Sequence, residues 1–120
     1  MTEAEAIELF TKMFNGSYSK LSPTDVDYKV FDEKGTLIAY VNVVKRVKSI
    51  HNAYPLPVKA KGVTKLLDKR LNPTIIWACE DGIIYGKLEK IRGVMFYSPN
   101  DFELMCYYDK QSAFRYVRYS

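Results

Sequence analysis

Apolar residues between positions 26 and 47 come in two short runs rich in Val, Ile, Phe and Tyr, with Asp32-Glu33-Lys34-Gly35 between them. β-Branched and aromatic side chains suit a pleated, half-buried surface and Asp-Glu-Lys-Gly is a turn signal, so 26–32 and 36–47 predict a β-hairpin. With Lys34-Gly35 as a two-residue loop, Asp27 opposes Asn42 and Asp25 opposes Val44, all on one side of the ribbon. A type I turn with Gly35 in the left-handed bulge position shifts the pairing by one residue and moves Asn42 away from the Asp27 face. At the level of sequence both registers are open.

The flanking pattern is helical, then again strand-like. Thr2 and Glu5 have capping-box spacing, and Ile7, Phe10 and Phe14 recur at helical period before Gly16, which predicts a helix over 3–14. Residues 18–21 suit a short edge strand. Residues 49–57 hold His51, Asn52, Tyr54 and two prolines and predict a loop, placed where a substrate-contacting flap would lie. A second helix is expected over 58–71, with Ala60, Val63, Leu67 and Leu71 on one stripe and Lys61, Lys65 and Lys69 on another, ended by Asn72-Pro73. The apolar run at 74–79 reads as a strand buried on both faces, turned by Asp81-Gly82 into a partner strand at 83–88, with Trp77 in the core. A helix feeding such a strand implies a right-handed crossover and a mixed sheet. Beyond it, 94–97 suggests a short strand. Ser98-Pro99-Asn100-Asp101 offers a helix start that would turn Phe102, Met105 and Cys106 inward, and 113–119 alternates like a final strand. Together these elements predict a single α/β (α+β) domain over 1–120, three-layer-like, with a mixed central sheet flanked by helices.

An acidic residue entering one strand, a hairpin, a second strand ending in a polar and basic cluster, and then a basic helix resemble the PD-(D/E)XK nuclease superfamily over residues 2 to about 88, with 89–120 a C-terminal extension. Pro23-Thr24-Asp25-Val26-Asp27 carries the first half of the motif. The second half departs from it: Tyr40-Val41-Asn42-Val43-Val44-Lys45 has Asn42 where the family has Glu and Val44 where it has Lys. The resemblance implies that Asp27 and Asn42 are catalytic and metal-binding, that Asp25 or Glu8 supplies the missing carboxylate, and that Lys45 or Lys65 stabilises developing negative charge. The implied cofactor is Mg²⁺ or Mn²⁺, and the implied chemistry is phosphodiester hydrolysis, weakened or lost. Mg²⁺ is held mainly by carboxylates and water, so an amide in place of a carboxylate lowers its affinity. Lys45 leaves a regular strand on the face opposite Asn42 unless a residue bulges out between them. The alternative is a non-catalytic nucleic-acid- or protein-binding module that keeps the fold.

Charge suits the nucleic-acid reading and equally a solvated basic face that has no partner. The net charge of +4 is unevenly spread: residues 1–33 hold seven acids and three bases, whereas residues 45–70 hold eight bases and Asp68 alone. Arg46, Lys48, Lys59, Lys61, Lys65 and Lys69 are therefore the expected phosphate contacts. DNA is the expected partner ahead of RNA, a homodimer is compatible with the chain, and no membrane partner is expected. Tyr107, Tyr108, Phe114, Tyr116 and Tyr119 with Arg115 and Arg118 offer either a base-stacking platform or a small aromatic core. Cys79 and Cys106 lie far apart in apolar runs and are expected to be buried free thiols in a reducing, cytoplasmic setting. His51 is the only histidine and reads as an exposed loop residue; no Ser/His/Asp or Cys/His nucleophile arrangement can be assembled around it, and neither zinc-ligand spacings nor a Gly-rich phosphate loop is present.

Overall fold

The computed structural model describes residues 1–22, 27–67, 71–88, 94–97, 104–110 and 114–119. Helix α1 (Glu3–Lys12) opens with the expected capping box: the Thr2 hydroxyl accepts the Glu5 amide at 3.1 Å and the Glu5 carboxylate accepts the Thr2 amide at 3.0 Å. The residue that leaves the helix in the left-handed region is Asn15 (φ 56), not Gly16. Gly16 answers a different need, because a Cβ there would meet the Phe31 carbonyl oxygen and the Phe14 ring.

Strands β1 (Ser17–Lys20), β2 (Asp27–Phe31) and β3 (Leu37–Lys45) form an antiparallel meander. The β2–β3 turn follows the bulged form. Gly35 has φ +83 and donates its amide to Asp32 O at 3.0 Å, while Asp32 Oδ1 accepts the Lys34 and Thr36 amides at 2.9 Å each. That turn alone displaces the pairing by one residue. A second irregularity restores it: Phe31 pairs with Leu37 and Val30 with Ala39, so Ile38 is the extra residue and Asp27 comes directly opposite Asn42.

From β3 the chain passes through a one-turn 3₁₀ segment (Ile50–Asn52), β4 (Leu56–Lys59) and α2 (Ala60–Leu67) into β5 (Thr74–Ala78), which runs parallel to β3. Strand β6 (Gly82–Lys87) returns beside β5, β7 (Val94–Tyr97) and β8 (Leu104–Tyr108) pair with each other, and β9 (Arg115–Arg118) pairs with β6. The result is a mixed six-stranded sheet, ordered β1-β2-β3-β5-β6-β9, and a three-stranded sheet, ordered β4-β8-β7.

Three expectations are corrected. The helix read over 58–71 starts at Ala60, because Leu56 and Val58 turn inward as a strand against Tyr108 and Cys106. Its buried stripe is Ala60, Val63 and Leu66, and Leu71 is exposed. The helix expected after Ser98 is absent at 104–106: Met105 and Cys106 lie in β8, hydrogen-bonded on both sides, while the proposed cap and Phe102 fall outside the described residues. The presumed flap is docked, with Ile50 and Ala53 buried and the Ile50 amide bonded to Asp81 Oδ1 at 2.8 Å. Within 89–120, β7 and β8 belong to the three-stranded sheet and β9 to the six-stranded one.

Helix α1 covers one face of the large sheet through Ala6 and Ile7 against Val30, Val41, Val43, Ile76 and Ile83. The opposite face packs against α2 and the small sheet around Trp77, as expected for that residue. Its indole Nε1 donates to Pro57 O at 2.8 Å, and its ring meets Phe114 and Tyr108 at centroid distances of 5.1 and 5.9 Å. Both cysteines are buried free thiols, and burial pushes Cys79 up to about 11. No helix among the described residues is long and apolar enough to cross a membrane.

Candidate functional site

The described residues contain four buried polar side chains, and two of them are satisfied locally. Thr11 donates to Ile7 O on its own helix at 3.0 Å, and Thr74 donates to Asn72 O at 2.8 Å. The other two are Asp27 and Asn42, only 1% and 5% exposed. Their placement follows from the hairpin: they are directly opposed across β2 and β3, and strand alternation turns both away from α1. Asn42 Nδ2 donates to Asp27 Oδ1 at 2.9 Å, and Lys65 Nζ on α2 lies 3.6 Å from Asp27 Oδ2. A carboxylate out of water needs such partners, since uncompensated charge in the interior is strongly unfavourable.

Beside this triad opens a cleft of about 560 Å³ between the end of β3, β4, the first turns of α2 and β8. Its described lining includes Lys45, Lys59, Lys61 and Lys65 and no carboxylate. Half-buried Val44, Pro57 and Met105 supply an apolar floor. Gly62 lines the cleft and has open space where a Cβ would be.

The expected site residues separate into groups. Asp27, Asn42 and Lys65 come together, and Lys59, Lys61 and Lys65 surround the cleft. The β3–β5 register runs uninterrupted from Val41 to Lys45, so no bulge redirects Lys45 toward Asp27; it borders the cleft at the strand end, and Lys65 is the cation at the carboxylate. Glu8 sits on α1, across the sheet from Asp27, where it accepts a hydrogen bond from Tyr18 at 3.0 Å. Arg46 is occupied structurally, donating to Ala53 O at 3.0 Å and to Pro55 O at 3.4 Å. Lys48 and His51 are exposed, and neither lines the cleft. Asp25 and Lys69 lie outside the described residues. The aromatic tail also divides: Tyr108 and Phe114 pack on Trp77, Tyr119 donates to Glu5 at 2.7 Å, and Tyr116 is exposed beneath the Arg118 guanidinium.

Pro57 and Met105 escape the sequence reading, which places them in a loop and a helix, whereas they lie in β4 and β8. Their signal was present in the alternation of Leu56 and Val58 with Pro57 and Lys59, a period of two too short to stand out.

Divalent metal chemistry can be tested against these donors. Mg²⁺ requires near-octahedral oxygen coordination with carboxylates contributing charge. Among the described residues no group of three or more His, Cys, Asp or Glu side chains is placed to hold a metal ion. The one carboxylate at the triad is already bonded by an amide and faced by an ammonium. The described donors alone do not make up a metal centre. No family model, curated protein or solved structure matches the chain.

Proposed function

We propose that this domain binds nucleic acid through the lysine-lined cleft, on a fold similar to the PD-(D/E)XK nucleases, and that it does so without a working metal centre. The observation that carries the reading is the cleft itself: four lysines around its lining, no described carboxylate among them, and the neighbouring Asp27 buried and held by Asn42 and Lys65. In this reading Lys65 takes the position of the cation, and Asp27 is a positioning residue that aims it. Lysine ammonium groups at the mouth draw in phosphates and release their counterions, which sets both affinity and salt dependence.

The test is binding of labelled DNA and RNA across a salt series, with and without EDTA. Affinity should fall steeply with salt, by roughly 0.7–0.9 log units per log unit of salt for each phosphate contacted. EDTA should leave it unchanged. Lys61→Glu, at an exposed helix position, should weaken binding and flatten the slope without loss of fold. Absence of binding at about 50 mM salt, where phosphate contacts are strong, removes the reading. Cleavage of the labelled strand on addition of Mg²⁺ or Mn²⁺ removes its non-catalytic part.

A further inference from the structure

A basic cleft that received only duplex would need no apolar floor, because duplex presents phosphates and groove edges and keeps its base faces stacked. Here the lysines are interleaved with apolar side chains. In β4, Leu56 and Val58 are buried in the core while Pro57 and Lys59 face outward, and in β8 Cys106 and Tyr108 are buried while Met105 and Tyr107 are half-buried. The two strands are in register, with Pro57 opposite Tyr107 and Lys59 opposite Met105. These four residues therefore share the outer face of the small sheet, and three of them also line the cleft. The outer face is continuous with the cleft and carries an aromatic ring, a thioether, a proline and a lysine side by side. Lys61 and Lys65 rise from α2 on the cleft's other wall.

Resting on the phosphate-binding reading above, we infer that the ligand is single-stranded nucleic acid: its phosphates meet Lys59, Lys61 and Lys65, and an unstacked base lies on Pro57, Met105 and Tyr107. The chemistry is that of a stacking platform beside a basic groove, in which every base has a π-face to offer and sequence matters little. An acidic peptide would satisfy the lysines but brings no base face to the apolar residues interleaved with them.

Fluorescence anisotropy with four probes tests this on the intact chain: an oligothymidylate, an abasic strand of the same length, a duplex of the same length and polyglutamate. The oligothymidylate should bind about tenfold more tightly than the abasic strand, the factor that one stacked base supplies. It should also outcompete duplex and polyglutamate. Tyr107→Ala should erase the preference over the abasic strand while leaving abasic affinity in place. Equal binding of abasic and base-bearing strands, or tighter binding of duplex, overturns the single-strand inference and leaves the phosphate-binding function standing. Polyglutamate binding as tightly as the oligothymidylate and displacing it overturns it in favour of an acidic protein partner. Failure of every nucleic-acid probe to bind takes down both readings. The abasic comparison uses the wild-type chain, so it decides the matter even if the Tyr107 variant does not fold.

Discussion

The two faces of the large sheet are built from the same strands and end differently. Along β3, Val41 and Val43 look toward α1 into a cluster made of apolar and aromatic side chains. Tyr40, Asn42 and Val44 alternate onto the other face, where the core around Trp77 gives way to the Asp27–Asn42–Lys65 triad and the cleft. One face is sealed by an amphipathic helix whose buried stripe fits the sheet. The other is covered by two small elements, α2 and β4-β8-β7, and their combined footprint leaves a gap that is polar at its inner end. Alternation lets a nine-residue strand serve both. The α1 face and the cleft thus draw on alternate positions of β3.

The largest effect expected from a single change lies in the covered part of the cleft face. Trp77 is fully buried, touches Tyr108 and Phe114, and reaches Pro57 O with its indole N–H. Trp77→Ala should cost about 3–5 kcal/mol in urea denaturation, as large aromatic-to-alanine truncations in cores do. Because the lost contacts join the large sheet to β4 and β8, the cleft should be damaged with the fold. A loss below about 1 kcal/mol, the scale of a surface change, would mean the small sheet docks independently of Trp77.

The triad gives the next effect. Asp27→Ala leaves the buried Asn42 amide without its acceptor and should cost about 1–3 kcal/mol, the penalty of an unsatisfied buried polar group. Asp27→Leu with Asn42→Leu removes both partners and should come back close to wild-type stability. The double variant should still lose nucleic-acid affinity, because Lys65 is no longer aimed. That combination, restored stability with reduced binding, is what separates a positioning pair from a merely structural one. Full binding by the stable double variant would show that the cleft works without the triad.

Much of this architecture was legible in the chain, and the exceptions have physical causes. The capping box, the hairpin, the buried strand at Thr74–Ala78 and the buried cysteines follow from local chemistry and appear where expected. The Asp27–Asn42 pairing arrived by an unexpected route, since Gly35 chose the bulged turn and Ile38 cancelled its shift. The second bulge falls beside Val30 and Ala39, both buried in the cluster with α1, and no local pattern encodes it. Leu104–Tyr108 carried a helix-start signal just upstream yet pairs on both edges as a strand, an override of local preference by tertiary pairing. The Lys65–Asp27 contact joins positions 38 residues apart and depends on the crossover that lays α2 over β3.

The smallest effect concerns the sealed face, where an exposed bond ties the chain's last described residue to its first helix. The Tyr119 hydroxyl donates to Glu5 Oε2 at 2.7 Å, and this bond is the leading cause holding the Glu5 carboxyl below its ordinary value of 4.5, followed by the Thr2 cap. The same bond is the leading cause raising the Tyr119 phenol above 10.0. A carboxylate whose pKa is depressed on folding contributes stability above its unfolded value, and that contribution is lost as pH falls through the folded value. A phenol whose pKa is raised contributes below its unfolded value and loses the contribution as pH rises through the folded one. Tyr119→Phe should therefore cost a small, constant amount of stability between these limits, and the difference from wild type should close as pH drops below 4.5. The Thr2 bonds survive the substitution, so Glu5 should titrate closer to its ordinary value in the variant without reaching it. Denaturation of both proteins at neutral and acidic pH, with the Glu5 carboxyl followed by NMR, measures both quantities. A stability gap that persists in acid, or a Glu5 titration unmoved by the substitution, would mean that the tail is held to α1 by packing alone and that the sealed face owes nothing to this bond.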